Sequence, residues 1–225
     1  MFIIYFQMSR GHGFTAAEID CLLEIIHDVF PIGPNDWDRV TERHCTFYPG
    51  LGRTRESLRR KFASLYNHKK PTGDPSCPVY VRNAKHIFKR IKEAMDFRRA
   101  MRKVDKEYGK DWWFKVWGPD KITADDIGKP SDWVLKANEK WHGFGNLADG
   151  FNMLDPIKST IITPGLDVSG KFAKTGLPAS IVTKYLAEHG VVVEKTGLYS
   201  FFIMFTIGIT KGRWNTMLTA LQQFK

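Results

Sequence analysis

Apolar residues recur at helical spacing near the start of the chain. Ile19, Leu22, Leu23, Ile26 and Val29 form one stripe, as a helix with a single buried face requires. Phe14-Thr15-Ala16-Ala17-Glu18 precedes it as a capping box: the Thr15 hydroxyl accepts from the amide near Glu18, and Glu18 reaches back. Pro31, Gly33 and Pro34 end this helix. Asp36, as a cap, opens a second short helix through Val40 and His44, with Trp37 pointing inward. Beyond the break at Pro49-Gly50-Leu51-Gly52, Thr54 caps a third helix with Leu58, Phe62 and Leu65 on its core face, and a basic helix follows over Val79 to Met95. The pattern then changes. Trp112, Trp113, Phe114 and Trp117 form an aromatic cluster that reads as core, and residues 118–153 read as loop. From Ser159 to Thr163 the chain is β-rich and stops at Pro164-Gly165. Pro178 then starts a helix with the stripe Val182, Tyr185, Leu186 and His189, which Gly190 ends. Val191 to Lys195 and Ser200 to Ile207 read as strands, and Lys211 to Phe224 as an amphipathic helix carrying Trp214, Leu218 and Leu221. The expected fold is α+β overall: an all-α trihelical module, then a small α/β subdomain with helices on one sheet.

Charge divides the chain differently from hydropathy. The net charge of +10 is concentrated in residues 53–92, which hold twelve basic and two acidic side chains, whereas residues 1–52 hold three basic and seven acidic. Such asymmetry is expected of a surface for DNA or another polyanion. Arg53, Arg55, Arg59, Arg60 and Lys61 are the candidate contacts; a protein-binding surface and a plain solvated helix face stay open beside that reading.

Three cysteines, Cys21, Cys45 and Cys77, lack C-x-x-C spacing. Reduced thiols in an intracellular protein are therefore expected, and no metal site. Phe201 to Ile209 is the longest apolar run, about half of the roughly 20 residues a membrane helix needs. Met1 to Gln7 lacks the basic start and cleavage signal of a secretory leader.

Particular motifs carry two family resemblances. Trp141-His142-Gly143-Phe144, Leu154-Asp155-Pro156-Ile157-Lys158, Thr163-Pro164-Gly165, Gly176-Leu177-Pro178-Ala179-Ser180-Ile181-Val182 and Val193-Glu194-Lys195-Thr196-Gly197 together resemble the ornithine/lysine/arginine decarboxylases of fold-type I, over about residues 97–225. The resemblance implies pyridoxal phosphate as cofactor, decarboxylation of a basic amino acid, and a role for Glu194 in receiving the substrate's distal cation. A surface glutamate paired with Lys195 or Lys211 is the structural alternative. The family's cofactor lysine would lie upstream, where this chain carries an unrelated pattern. His68-Lys69 ends a basic helix without the family's serine two residues before the histidine, so no catalytic residue is assigned and a fused fragment inactive alone is expected. The three-helix pattern with its aromatic residues resembles Myb/SANT-like domains over about residues 14–95, which implies DNA or chromatin binding. The expected organisation is an extension over 1–13, a helical module over 14–95 and a partial decarboxylase domain over 97–225, with an abrupt seam near Asp96. Oligomerisation through 97–225 is expected. The decarboxylase reading implies a cytoplasmic location and the Myb/SANT-like reading a nuclear one.

Overall fold

The computed structural model describes residues 12–31, 34–119, 132–148, 152–167 and 170–225. Met1 to Gln7, Gly33 and the stretch 120–131 of the expected loop lie outside the described residues. Helix α1 spans Ala16–Val29, with Thr15 Oγ1 accepting from the Glu18 amide at 3.1 Å. The second half of the expected capping box is absent: the Glu18 carboxylate turns away from its own helix start to Arg53. Helix α2 spans Pro34–Phe47, so Asp36 lies in its first turn, buried, rather than capping it. Thr54 caps α3, Arg55–Tyr66, as its position predicts, and accepts from the Ser57 amide at 3.2 Å.

Helix α4 changes the domain picture. It spans Val79–Tyr108, 30 residues, and passes through the expected seam at Asp96 without interruption. No glycine or proline falls between those ends, and Gly109, at φ 56°, supplies the stop. A helix this long is held by tertiary packing rather than by propensity, and α4 packs on two cores in succession. Val81, Ala84 and Ile87 join Leu22, Ile26, Trp37, Leu58 and Phe62 in the first. Ala94, Phe97, Met101 and Val104 join the second.

The second core lies under a four-stranded sheet of order β1-β2-β4-β3: Lys115–Val116, Lys158–Ile162, Ser200–Met204 and Lys195–Thr196, in the order named. Every pairing is antiparallel. Helices α5, Ala179–Glu188, and α6, Lys211–Phe224, pack with α4 to cover its buried face. The strand expected over Val191 to Lys195 is shorter than its valines suggest. Gly190 at φ 77° ends α5, the Val191 amide donates back to Leu186 O at 2.9 Å, and pairing with β4 starts only when the Glu194 amide reaches Phe202 O at 2.9 Å. In the aromatic cluster Trp112 and Phe114 are core, but Trp113 is exposed. Among the described residues no helix is long and apolar enough to cross a membrane.

Candidate functional site

Glu194 stands at the mouth of a groove of about 660 Å³ between the Gly190–Glu194 turn, the end of β4 and α6. Val191, Val193, Ile203, Met204, Trp214 and Met217 give it apolar walls, and Arg213 also lines it. Backbone pairing fixes Glu194, since its amide is spent on Phe202 O, while its side chain stays exposed. Among the described residues neither Lys195 nor Lys211 pairs with it, and it is the one carboxylate lining the groove. A cation with an aliphatic stem matches such a place: apolar contact along the walls and a charge-assisted hydrogen bond at the rim. Arg213 was not singled out by its sequence context, because on α6 it reads as an ordinary exposed cation.

The glycine-rich motifs build the frame of this half. Thr163 Oγ1 donates to Leu177 O at 2.7 Å, and the Leu177 amide donates to Pro164 O at 2.7 Å. The two turns meet so closely that a β-carbon on Gly176 would collide with the Pro164 carbonyl and the Gly165 α-carbon. This accounts for glycine in both motifs. Asp155 closes a turn by accepting from the Ile157 amide at 3.1 Å, and Lys158 pairs with it at 3.3 Å. His142 is buried: its Nδ1 accepts from the Phe144 amide at 3.0 Å, which places the proton on Nε2. Trp117 Nε1 donates to Trp141 O at 2.8 Å and Trp141 Nε1 to Glu139 Oε2 at 3.0 Å. These motif residues serve structure.

Arg98 has a comparable role that its surface-like setting in Phe97-Arg98-Arg99 conceals. The side chain is buried; its guanidinium donates to Trp117 O at 3.2 Å and Lys158 O at 2.6 Å and lies over the Trp133 ring at 4.9 Å. Burial, with Arg102 beside it, pushes its pKa down to about 9, with Asp155 acting the other way. It remains a cation at neutral pH and ties α4 to the end of β1 and the start of β2.

In the first module the five basic candidates fare unequally. Arg53 is turned inward, donating from Nε to Glu18 Oε1 at 2.7 Å and from Nη2 to Glu18 Oε2 at 3.0 Å, with further donors on the His12 and Gly13 carbonyls. Four of its five N–H groups are thus engaged inside the protein, and one on Nη1 is left over. Arg55 pairs with Asp38 at 3.1 Å, Arg59 with Glu56 at 3.3 Å, and Lys61 lies 5.4 Å from the Phe14 ring centre. Arg60 is exposed and, among the described residues, has no protein partner. The basic count of this segment therefore overstates its free positive surface. His68-Lys69 is confirmed as a helix end, with the His68 carbonyl accepting from Lys85 Nζ at 2.6 Å.

Pyridoxal phosphate is the cofactor that the family resemblance implies. The cofactor needs a lysine amine, a carboxylate for its ring nitrogen and a phosphate cup. No lysine lines the groove, and Glu194 is its only acid. The residues that line the groove do not fit the cofactor by themselves. Among the described residues no group of three or more His, Cys, Asp or Glu side chains could hold a metal ion, and the three cysteines are free.

Comparison with known proteins agrees with this division of labour. Residues 80–213 match the family "Orn/Lys/Arg decarboxylase, major domain", and residues 31–111 match a "Domain of unknown function (DUF6818)", not a Myb/SANT domain. The two matches overlap along α4. Lysine decarboxylase LdcA of Pseudomonas aeruginosa is 50% identical over 134 residues, covering 59% of this chain and 18% of that protein. The biodegradative arginine decarboxylase of Escherichia coli K12 is 38% identical over 152 residues, 60% of this chain and 20% of the relative. Among solved structures, lysine decarboxylase A from Pseudomonas aeruginosa superposes with a TM-score of 0.57 at 46% identity, covering 64% of this chain and 19% of the other. The constitutive lysine decarboxylase of E. coli gives 0.56 at 29% identity, covering 76% and 24%. The chain thus spans about a fifth of the length of these relatives. With its matched region covering more than half of its residues, the chain belongs to the Orn/Lys/Arg decarboxylase family.

Proposed function

We propose that residues 80–213 supply a substrate-facing wall of a pyridoxal-phosphate-dependent decarboxylase for a basic amino acid, with Glu194 receiving the distal ammonium or guanidinium. One observation carries this reading: a lone, unpaired carboxylate at the rim of an apolar groove, in a chain of this family. Lysine, ornithine and arginine each carry an aliphatic stem that ends in a cation. The stem suits Val193, Ile203, Met204 and Met217, and the cation suits Glu194. The cofactor's lysine, its ring-nitrogen carboxylate and its phosphate cup have no counterpart around the groove, so turnover requires these groups from elsewhere in a decarboxylase. Decarboxylases with lysine and arginine in their names are both among the relatives, and the groove admits either stem.

A chimera tests the proposal. Residues 80–213 replace the matching segment of P. aeruginosa lysine decarboxylase, and carbon dioxide release is measured. The chimera is expected to turn over. Glu194→Gln within it is expected to raise KM about 10- to 100-fold, the worth of one charge-assisted hydrogen bond, with kcat changed far less. The chain by itself, mixed with pyridoxal phosphate and lysine, ornithine or arginine, is expected to release no carbon dioxide. A chimera whose KM ignores Glu194→Gln removes Glu194 from the site.

A further inference from the structure

The first module holds a cluster of ionisable groups that decarboxylase chemistry does not use. Glu18 of α1 is buried between Arg53, which grips both carboxylate oxygens, and His44 of α2, whose Nε2 approaches Oε1 to 3.4 Å. That approach is long, and neither ring nitrogen of His44 has a protein hydrogen-bond partner. The imidazole is fully buried and stacks on Tyr48, ring centres 5.2 Å apart. Such a ring belongs in the core as a neutral group. Arg53 does more than neutralise Glu18. Its Nη1 donates to His12 O at 2.7 Å, its Nη2 to Gly13 O at 3.0 Å, and its guanidinium covers the Phe14 ring at 3.9 Å. The segment leading into α1 is thereby tied to the start of α3 through one side chain, and that side chain is held in place by Glu18.

With His44 neutral, the pocket holds one anion and one cation. A proton on His44 leaves two cations sharing one carboxylate out of contact with water, where unbalanced charge is expensive. No second acid is positioned to absorb it. From α1 the cluster is faced by Glu18 and Cys21, from the α3 side by Arg53, after α2 by Tyr48, and beside His44 on its own helix lie Arg43 and Cys45; Arg43 is already paired with Asp28 at 3.0 Å. Relief comes by letting water in, and the segment at His12–Phe14 is placed to move: His12 and Gly13 are exposed with their carbonyls held by Arg53, and Phe14 alone packs on the core, with Arg53 and Lys61 near its ring.

We propose that the Glu18–His44–Arg53 cluster is an acid-sensitive latch: protonation of His44 releases residues 12–15 from Arg53 and loosens the start of α1. Burial moves the His44 pKa below its ordinary value of 6.5, ahead of the opposing pull of Glu18. The unfolded or opened state therefore binds the proton more readily, and the closed state is lost as pH falls below about 6.5. Glu18 is moved below 4.5, since Arg53 and His44 outweigh the upward effect of burial; its contribution is lost in a separate, more acidic window. The two groups act in the same direction at different pH.

Hydrogen exchange of the full chain, corrected for intrinsic rates, reads the latch. Between pH 7.5 and 5.5 the amides of residues 15–20 are expected to exchange faster by up to about tenfold, the pH then lying about one unit below the ordinary histidine pKa of the open state, while amides of β2 and β4 hold steady. His44→Phe, which keeps a ring against Tyr48 and cannot take a proton, is expected to abolish this dependence. Equal acceleration in both proteins, or none in the native one, overturns the latch. Should His44→Phe fail to fold, the His44 ring titration followed by NMR in the native chain decides. A ring that titrates below 6.5 together with faster exchange at 15–20 supports the latch, and one that titrates at or above 6.5 without that change overturns it.

Discussion

The two halves share one helix and differ in how they finish their surfaces. The first encloses its core with α1 to α3 and the N-terminal part of α4, and balances the buried Glu18 carboxylate internally with Arg53. The second closes its core beneath the sheet but leaves Phe144, Phe172, Ile181, Val192, Leu198 and Ile207 exposed, against Phe47, Leu51 and Val79 in the first. The second half thus carries more exposed apolar side chains than the first. The relatives are several times longer than the matched region.

Separating the halves is the most severe way to break the comparison. Residues 12–95 are expected to stay monomeric and unfold cooperatively, because their core ends near Ile91. Residues 97–225 are expected to associate, since the cut removes the upstream turns of α4 and uncovers more apolar surface; analytical ultracentrifugation distinguishes the outcomes. A monomeric second fragment with a sharp thermal transition would show that the exposed residues need no cover.

Single substitutions sharpen the contrast. Phe97→Ala should destabilise the second half by about 3–5 kcal/mol, because the ring is fully buried 5.5 Å from Phe205 and 6.0 Å from Trp214. Chemical denaturation followed by near-ultraviolet dichroism measures the loss. Glu18→Gln should cost the first half about 3 kcal/mol by leaving the Arg53 guanidinium buried without its anion. Arg53→Ala should act in the same way, lowering the melting temperature rather than any affinity for polyanions; unchanged stability with weakened heparin binding would return Arg53 to the surface reading. A smaller effect tests the junction. Arg90 donates from Nε to Phe205 O at 3.2 Å in the second half, while its Nη1 lies 3.0 Å from His27 Nε2 and its guanidinium 5.6 Å from the Phe30 ring in the first. Arg90→Ala should lower stability by about 1 kcal/mol and separate the unfolding transitions of the halves, which calorimetry would show as a broadened or split peak.

Most elements were legible in the sequence because each carried a local signal. Thr15 and Thr54 cap where a hydroxyl precedes an apolar stripe, Gly190 stops α5, and Trp214, Leu218 and Leu221 face the core as their spacing on α6 implies. The decarboxylase motifs were legible as well, and most of their residues turned out to hold turns together. Glu194 was placed at a strand end but not beside a groove, because the groove is shared by three elements far apart in the chain. The basic segment misled for a related reason: counting charges cannot show that Arg53, Arg55 and Arg59 each face a carboxylate.

By itself the sequence determined where helices start and stop, which faces are apolar, and which family motifs the second half carries, since those depend on backbone conformation and residue spacing within a few turns. Tertiary structure decided that the seam near Asp96 is the middle of a single helix, that Arg98 is buried against two carbonyls, and that Glu18, His44 and Arg53 meet in one closed pocket. The first rests on apolar packing of α4 against two cores; the other two rest on whether a charged side chain finds a partner across the fold, and that free energy depends on distance and burial in three dimensions rather than on separation along the chain.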